Sequence, residues 1–205
     1  FHEGIYVDKE GNEIIGGSGT EGNTQISGMN IATYTSSSGK TYIQYKQGVG
    51  PWAGQMYGNG TIAQQGCSIT AIAIALSGYG YNFTPSNFSG PLVSISGVTS
   101  QYATGSSLVY TRGADGLAYN QVQPQNKQDI INHLRTGNAV IYHVLGARKG
   151  YSSIYTSNQH WMVLTDVNAD GTQAYVSNPN SAGPNGWNNI DTILQSLCCY
   201  IKVSQ

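Results

Sequence analysis

Charge is what this sequence has least of. Its 205 residues include 9 Lys and Arg and 10 Asp and Glu, so 9% are charged, against about 25% in an ordinary globular chain. A formal net charge of −1 leaves no basic stripe for nucleic acid and no polybasic patch for an anionic membrane surface. No apolar run approaches the ~20 residues a membrane helix needs, so membrane insertion is not expected. No charged-then-apolar leader stands at Phe1, and the first residue is not Met, which reads as a trimmed mature chain or one domain of a larger chain. Cysteine is scarce too. Cys67, Cys198 and Cys199 cannot make a disulfide framework, and adjacent cysteines rarely bridge because the intervening peptide strains the ring. At least one thiol is left over.

The polar surface comes instead from Gly 27, Tyr 15 and many Ser, Asn, Thr and Gln. With 39% apolar and 10% aromatic residues, the chain can bury a sizeable core and should fold. One large domain is expected over residues 41–205, with residues 1–40 as an N-terminal extension or arm, Gly- and Ser-rich with short alternating runs such as Ile31 to Tyr34.

Thr41 to Lys46 reads as a strand, followed by a turn-rich loop to Gln65. Ser68 to Ser77 is apolar nearly all round and stops at Gly78, the pattern of a buried helix. A second helix is predicted from Lys127 to Arg135, with Ile130, Ile131 and Leu134 on one face and Gly137 closing it. Ala139 to Val144 then reads as a central strand, and His160 to Val167 with Thr172 to Ser177 as a hairpin around Asn168 to Gly171. Helix first and antiparallel sheet after indicates α+β.

Cys67 stands at the start of the buried helix, where the helix field and free main-chain N–H groups lower a thiol pKa and receive an oxyanion. Gly66 would let a substrate backbone approach the sulfur. A buried structural cysteine fits the same local pattern. A thiol nucleophile needs a base, and His160, opening a strand after a polar loop, is the best placed of four histidines. His133 lies on a polar helix face and is expected in solvent. His143, inside a central strand, is expected to be a satisfied core or cleft-edge residue, and His2 is near the terminus. Asn178, ending the strand that follows His160, can accept the imidazole N–H and set its tautomer; a strand-ending turn at Asn178-Pro179 is the plainer reading.

Taken in order, Trp52-Ala53, Tyr57-Gly58, Thr61-Ile62-Ala63, Gly66-Cys67-Ser68-Ile69-Thr70-Ala71, Gln159-His160-Trp161-Met162-Val163 and Ser177-Asn178-Pro179 resemble a bacterial cysteine peptidase of the papain-like fold. The chain is similar to the group related to double-glycine bacteriocin-leader peptidases, from about Tyr42 to Pro179 at least. The resemblance implies that a nucleophile at the N-terminus of a buried helix packs on an antiparallel sheet carrying the His and Asn. It implies Cys67 as nucleophile, His160 as general base and acid, and Asn178 as third member. It further implies a glutamine completing the oxyanion hole, with Gln47 at the matching position and Gln65, Gln64 and Gln55 as rivals. Two departures stand out. Ser68-Ile69 follow the cysteine where the group commonly has Gly and often Pro, and Asn178 stands where the bacterial group often has Asp.

Trp52, Tyr57, Gln65, Gly66 and Trp161 are the candidate substrate-binding residues. The loops, with Tyr151, Tyr155 and Trp187, suit a neutral aromatic cleft for uncharged extended peptides. Asp166 to Gly171 opens like a calcium loop, but Ser177 stands where a bidentate Glu is needed, so a hairpin turn explains it better. Cys198, Cys199 and His143 lack two-residue ligand spacing, so neither a metal nor another cofactor is expected. The expected function is hydrolysis of peptide bonds through a thioester, outside a bacterial cell or carried by a phage, on peptidoglycan peptides, by a monomer or one domain of a larger chain. A secreted proteinase acting on proteins, and a catalytically silent adhesion or wall-binding module on the same fold, are the alternatives.

Overall fold

The computed structural model describes residues 6–7, 13–14, 19–89, 109–112, 123–151, 153–181, 183 and 185–205. Two short strands, β1 (Tyr6–Val7) and β2 (Glu13–Ile14), pair antiparallel; His2 lies outside the described residues. A three-stranded sheet follows, in the order β3 (Thr20–Ile26), β4 (Met29–Thr35), β5 (Thr41–Ile43). The expected strand from Thr41 to Lys46 thus ends at Ile43. The small hairpin β6 (Met56–Tyr57) and β7 (Gly60–Thr61) leads into a short helix α1 (Ile62–Gln65) and then α2 (Cys67–Ser77).

Helix α2 is the buried helix its sequence predicts. Every residue from Ile69 to Ser77 is buried, because a helix apolar on all sides has no face to offer water. Burying each of Ile69, Ile72, Ile74 and Leu76 contributes roughly 2 kcal/mol. These side chains pack with Tyr42, Trp52, Ile141, Val163 and Ile201 in one core cluster.

Strand β8 (Val109–Arg112) precedes α3 (Pro124–Arg135), which begins with Pro124, earlier than the apolar periodicity indicates. Proline is tolerated there because the first helical N–H has no intrahelical partner. Gly137 closes the segment at φ +76°. Then come β9 (Val140–Leu145), β10 (Gln159–Val167), β11 (Gln173–Ser177), β12 (Gly186–Asn189), the short helix α4 (Ile190–Ile193) and β13 (Leu197–Ser204). They form a six-stranded sheet in the order β12-β11-β10-β9-β13-β8, antiparallel throughout. The β10–β11 hairpin turns at Asn168 to Gly171 as expected, through Gly171 N–H to Asn168 O at 3.0 Å.

Alternation along the strands divides the sheet's two faces. Ile141, Val163 and Ile201 pack on the α2 side, while Tyr142, Met162, Leu164 and Tyr200 pack against Ile130, Ile131 and Leu134 of α3. The helices therefore clamp the sheet from both faces and hold the N-terminal end of α2 near the start of β10.

Candidate active site

Cys67 is the first residue of α2, and Gly66 separates it from α1. A Cβ on Gly66 would lie 2.6 Å from the Ile62 main-chain oxygen, so glycine is required for α1 to turn directly into α2. Gly66 is buried, and the Ile62 backbone by itself requires glycine there. The half-buried Cys67 thiol is pushed up by burial, against the opposing pull of the Trp161, Ser68 and Cys67 main-chain N–H groups. The Trp161 N–H ties the sulfur to β10, one residue from His160.

His160 is 5% exposed, and its Nε2 lies 2.8 Å from Asn178 Oδ1. The same Oδ1 accepts the main-chain N–H of Asn180 at 2.9 Å. An atom that accepts from a main-chain N–H is the amide oxygen, so the hydrogen between the two side chains sits on His160 Nε2. The neutral ring then has a basic Nδ1. Burial lowers the His160 pKa, the bond to Asn178 pulls it up, and the positive charge of Lys46 lowers it further.

Asn178 lies just beyond β11 and is 1% exposed. Its N–H donates to Asn185 Oδ1 at 2.9 Å, and its main-chain oxygen accepts from Lys46 Nζ at 2.7 Å. Lys46 Nζ also donates to Gly183 O at 2.9 Å and Asn185 Oδ1 at 3.1 Å, and burial lowers its pKa to about 8. A Cβ on Gly183 would run into the Asn178 side-chain amide. Sequence reasoning missed Lys46 and Gly183. The one available signal was a lysine beside Gln47 in a chain with few charges.

Gln47 donates its main-chain N–H to Pro179 O at 2.8 Å and its Nε2 to Ala63 O at 2.9 Å. It therefore bridges the segment holding Asn178 and the helix preceding Cys67. Of the rivals, Gln64 Oε1 accepts from Thr61 N at 3.0 Å, Gln55 Nε2 reaches Pro51 O at 3.4 Å, and Gln65 is exposed.

Two of the expected substrate-binding residues are corrected. Trp52 is 1% exposed and Tyr57 2%; the Trp52 indole N–H donates to Lys46 O at 2.7 Å and its ring meets Tyr45 edge-on. With so little surface both side chains mainly brace the loop, and the cavity that Trp52 adjoins is not lined by Cys67 or His160. Trp161 is half-buried and stacks on His143 with ring centroids 4.5 Å apart. His133 is also corrected: it is half-buried and its Nε2 meets Val203 O at 2.9 Å. His143 is buried, as a core histidine should be, yet its Nε2 has no hydrogen-bond partner among the described residues. Two cavities, of about 310 and 150 Å³, adjoin Gln44 and Asn185 behind Lys46; neither is lined by Cys67 or His160.

A half-buried thiol at a helix N-terminus, tied through the Trp161 N–H to the strand whose imidazole is held by an asparagine, is a candidate for attack on a carbonyl carbon. Residues 34–204 match the Peptidase_C39 like family. A crystal structure described as that of a C39-like peptidase from Bacillus anthracis shares the fold with a TM-score of 0.50 and 10% identity, over 78% of this chain and 94% of that one. No curated protein matches the chain. Because the family match spans well over half of the 205 residues, the chain belongs to the Peptidase_C39 like family and is a cysteine peptidase of papain-like kind.

Proposed function

We propose that Cys67 is the nucleophile, His160 the general base and acid, and Asn178 the residue that orients the imidazole. Gln47 Nε2 and the Cys67 main-chain N–H hold the oxyanion. The observation that carries this reading is the His160 Nε2 hydrogen committed to Asn178 Oδ1 at 2.8 Å, which leaves Nδ1 as the base on a ring one residue from the N–H that meets the Cys67 sulfur.

The Cys67 proton passes to His160 Nδ1 as the sulfur attacks the peptide carbonyl carbon. Negative charge develops on the carbonyl oxygen and is met by the two N–H donors. Collapse breaks the C–N bond, and the amine leaves with the proton from His160. Water, deprotonated by His160, then attacks the thioester carbon and releases the acid and the Cys67 thiol.

The substrate class is a neutral extended peptide, with peptidoglycan stem or bridge peptides first and proteins second. Support comes from the 9% of charged residues and from Tyr151, Tyr155 and Trp187, all partly exposed, since aromatic rings give contact area without demanding a charged partner. Such a substrate places the enzyme outside the bacterial cell, secreted, at the cell surface or carried by a phage.

Purified Gram-positive sacculi and a casein-type protein, each treated with this chain and with Cys67→Ala, test the proposal by mass spectrometry of released ends. New amino groups from sacculi that vanish with Cys67→Ala are the expected result. Cleavage of protein alone moves the enzyme to a secreted proteinase. No Cys67-dependent product from either, with slow alkylation of Cys67, overturns the catalytic reading in favour of a binding module.

A further inference from the structure

The sequence spacing of His143, Cys198 and Cys199 gives no sign of a shared site, yet the fold assembles one. One donor atom from each, the two sulfurs and a ring nitrogen, all lie within 4.8 Å of one another. The local cause is a break in strand alternation. In a regular strand Cys198 and Cys199 would point to opposite faces, but the β9–β13 register shifts between Leu197 and Cys199, so that Leu197 opposes Val144 and Cys199 opposes His143. Cys198 is the extra residue of this bulge, and bulges re-aim side chains in this way. Ser196, just before this stretch, sits at φ +66°, a left-handed conformation that is strained for a serine.

A second observation points to a ligand. His143 is 8% exposed, and its Nε2 is buried with no hydrogen-bond partner among the described residues. A buried polar atom without a partner is costly, and a cation taken by that nitrogen would remove the cost. The stack of His143 against Trp161 fixes the ring plane.

We propose that His143, Cys198 and Cys199 form a site for a thiophilic d¹⁰ cation, Zn²⁺ or Cu⁺, that uses none of the three residues proposed as the triad. Two thiolates and an imidazole are the donor set these ions favour. With Zn–S near 2.3 Å and Zn–N near 2.0 Å, tetrahedral ligands stand about 3.5–3.8 Å apart, so donors within 4.8 Å need close by only about 1 Å. Three protein donors complete a trigonal Cu⁺ site and leave one position open on Zn²⁺. Binding releases the two thiol protons to solvent.

The test uses Cys67→Ala protein, so that the candidate nucleophile contributes no thiol. Reduced protein is loaded with Zn²⁺ or, anaerobically, with Cu⁺, desalted, and assayed for bound metal. Affinity is read by competition with a chromophoric chelator, and thiolate ligation from the charge-transfer absorption of a Co²⁺-loaded sample. One equivalent of metal is expected, and adding Cys198→Ser, Cys199→Ser or His143→Gln should each weaken binding at least tenfold. Cys198 is half-exposed, so Cys198→Ser tests the site even if His143→Gln fails to fold. The two loading arms decide which ion is preferred. Absence of retained metal in both arms, or affinity unchanged in Cys198→Ser, overturns the proposal. So does a 2 Da lower intact mass that marks a Cys198–Cys199 disulfide, if no metal binds after its reduction.

Discussion

Lys46 Nζ donates to the main-chain oxygen of Asn178 at 2.7 Å, across 132 positions of sequence. The ammonium stands behind the residue that holds the His160 ring, and its charge depresses the His160 pKa. Lys46→Met should therefore have two separable effects. Three part-buried acceptors lose their donor, lowering stability by roughly 2 kcal/mol in denaturant melts. The His160 pKa should rise, moving the acid limb of kcat/KM to higher pH; a limb that stays in place while stability falls would reduce Lys46 to a structural brace.

Gly183 is expected to be as sensitive as Asn178 itself. Asn178→Ala removes the acceptor for the His160 Nε2 hydrogen and should cost about 100-fold in kcat. Gly183→Ala leaves Asn178 in the sequence, but its Cβ would collide with the Asn178 amide. A comparable loss of kcat at near-wild-type stability, measured by steady-state kinetics beside thermal melts, is the expected outcome for Gly183→Ala.

The two candidate reactive groups should shape the pH dependence of stability from opposite sides. The His160 pKa is depressed by burial, so its contribution is complete above 6.5 and is lost as pH falls through the lower folded value. The Cys67 thiol is raised by burial, so its contribution is complete below 9.0 and is lost as pH rises through the higher folded value. Urea melts across pH 4–10 test both signs, the range chosen to span about two units around these reference values. Cys67→Ala should flatten part of the alkaline limb, because burial also raises Tyr45, Tyr79 and Tyr155 while Lys46, lowered to about 8, acts with the opposite sign. His160→Gln should flatten part of the acid limb, because the pKa values of His143 and His133 are also depressed.

Asp166 ties the three-stranded sheet to the six-stranded one. It is 4% exposed and accepts from Tyr34 OH at 2.9 Å and from the Ser37 N–H and Oγ at 2.7 and 2.6 Å. Asp166→Ala strands these donors and should lower stability by about 3 kcal/mol in denaturant melts, while Tyr34→Phe, which removes one bond, should lower it by about 1 kcal/mol.

Elements written in local pattern were readable without a fold. The apolar run after Cys67 could only be a buried helix, the alternating runs after His160 and Thr172 made a hairpin around a Gly turn, and Asn178 followed from the end of that hairpin. Gln47 was readable only through the family resemblance, and the structure then set it against Pro179 and Ala63.

What the sequence by itself determined was the nature of the chemistry: few charges, one cysteine opening an apolar helix, a His on one strand and an Asn just past the end of the next. Only the tertiary structure decided what surrounds them. It buried Trp52 and Tyr57, which composition had placed in a cleft, and assigned Gly66 to Ile62. It brought Lys46 behind Asn178, and through a bulge that breaks strand alternation it turned Cys198 and Cys199 toward His143. The physical reason is range. Helix and strand periodicity are set by neighbours within a turn or a pleat, whereas these contacts join segments separated by tens of residues and exist only once the sheet has closed around α2.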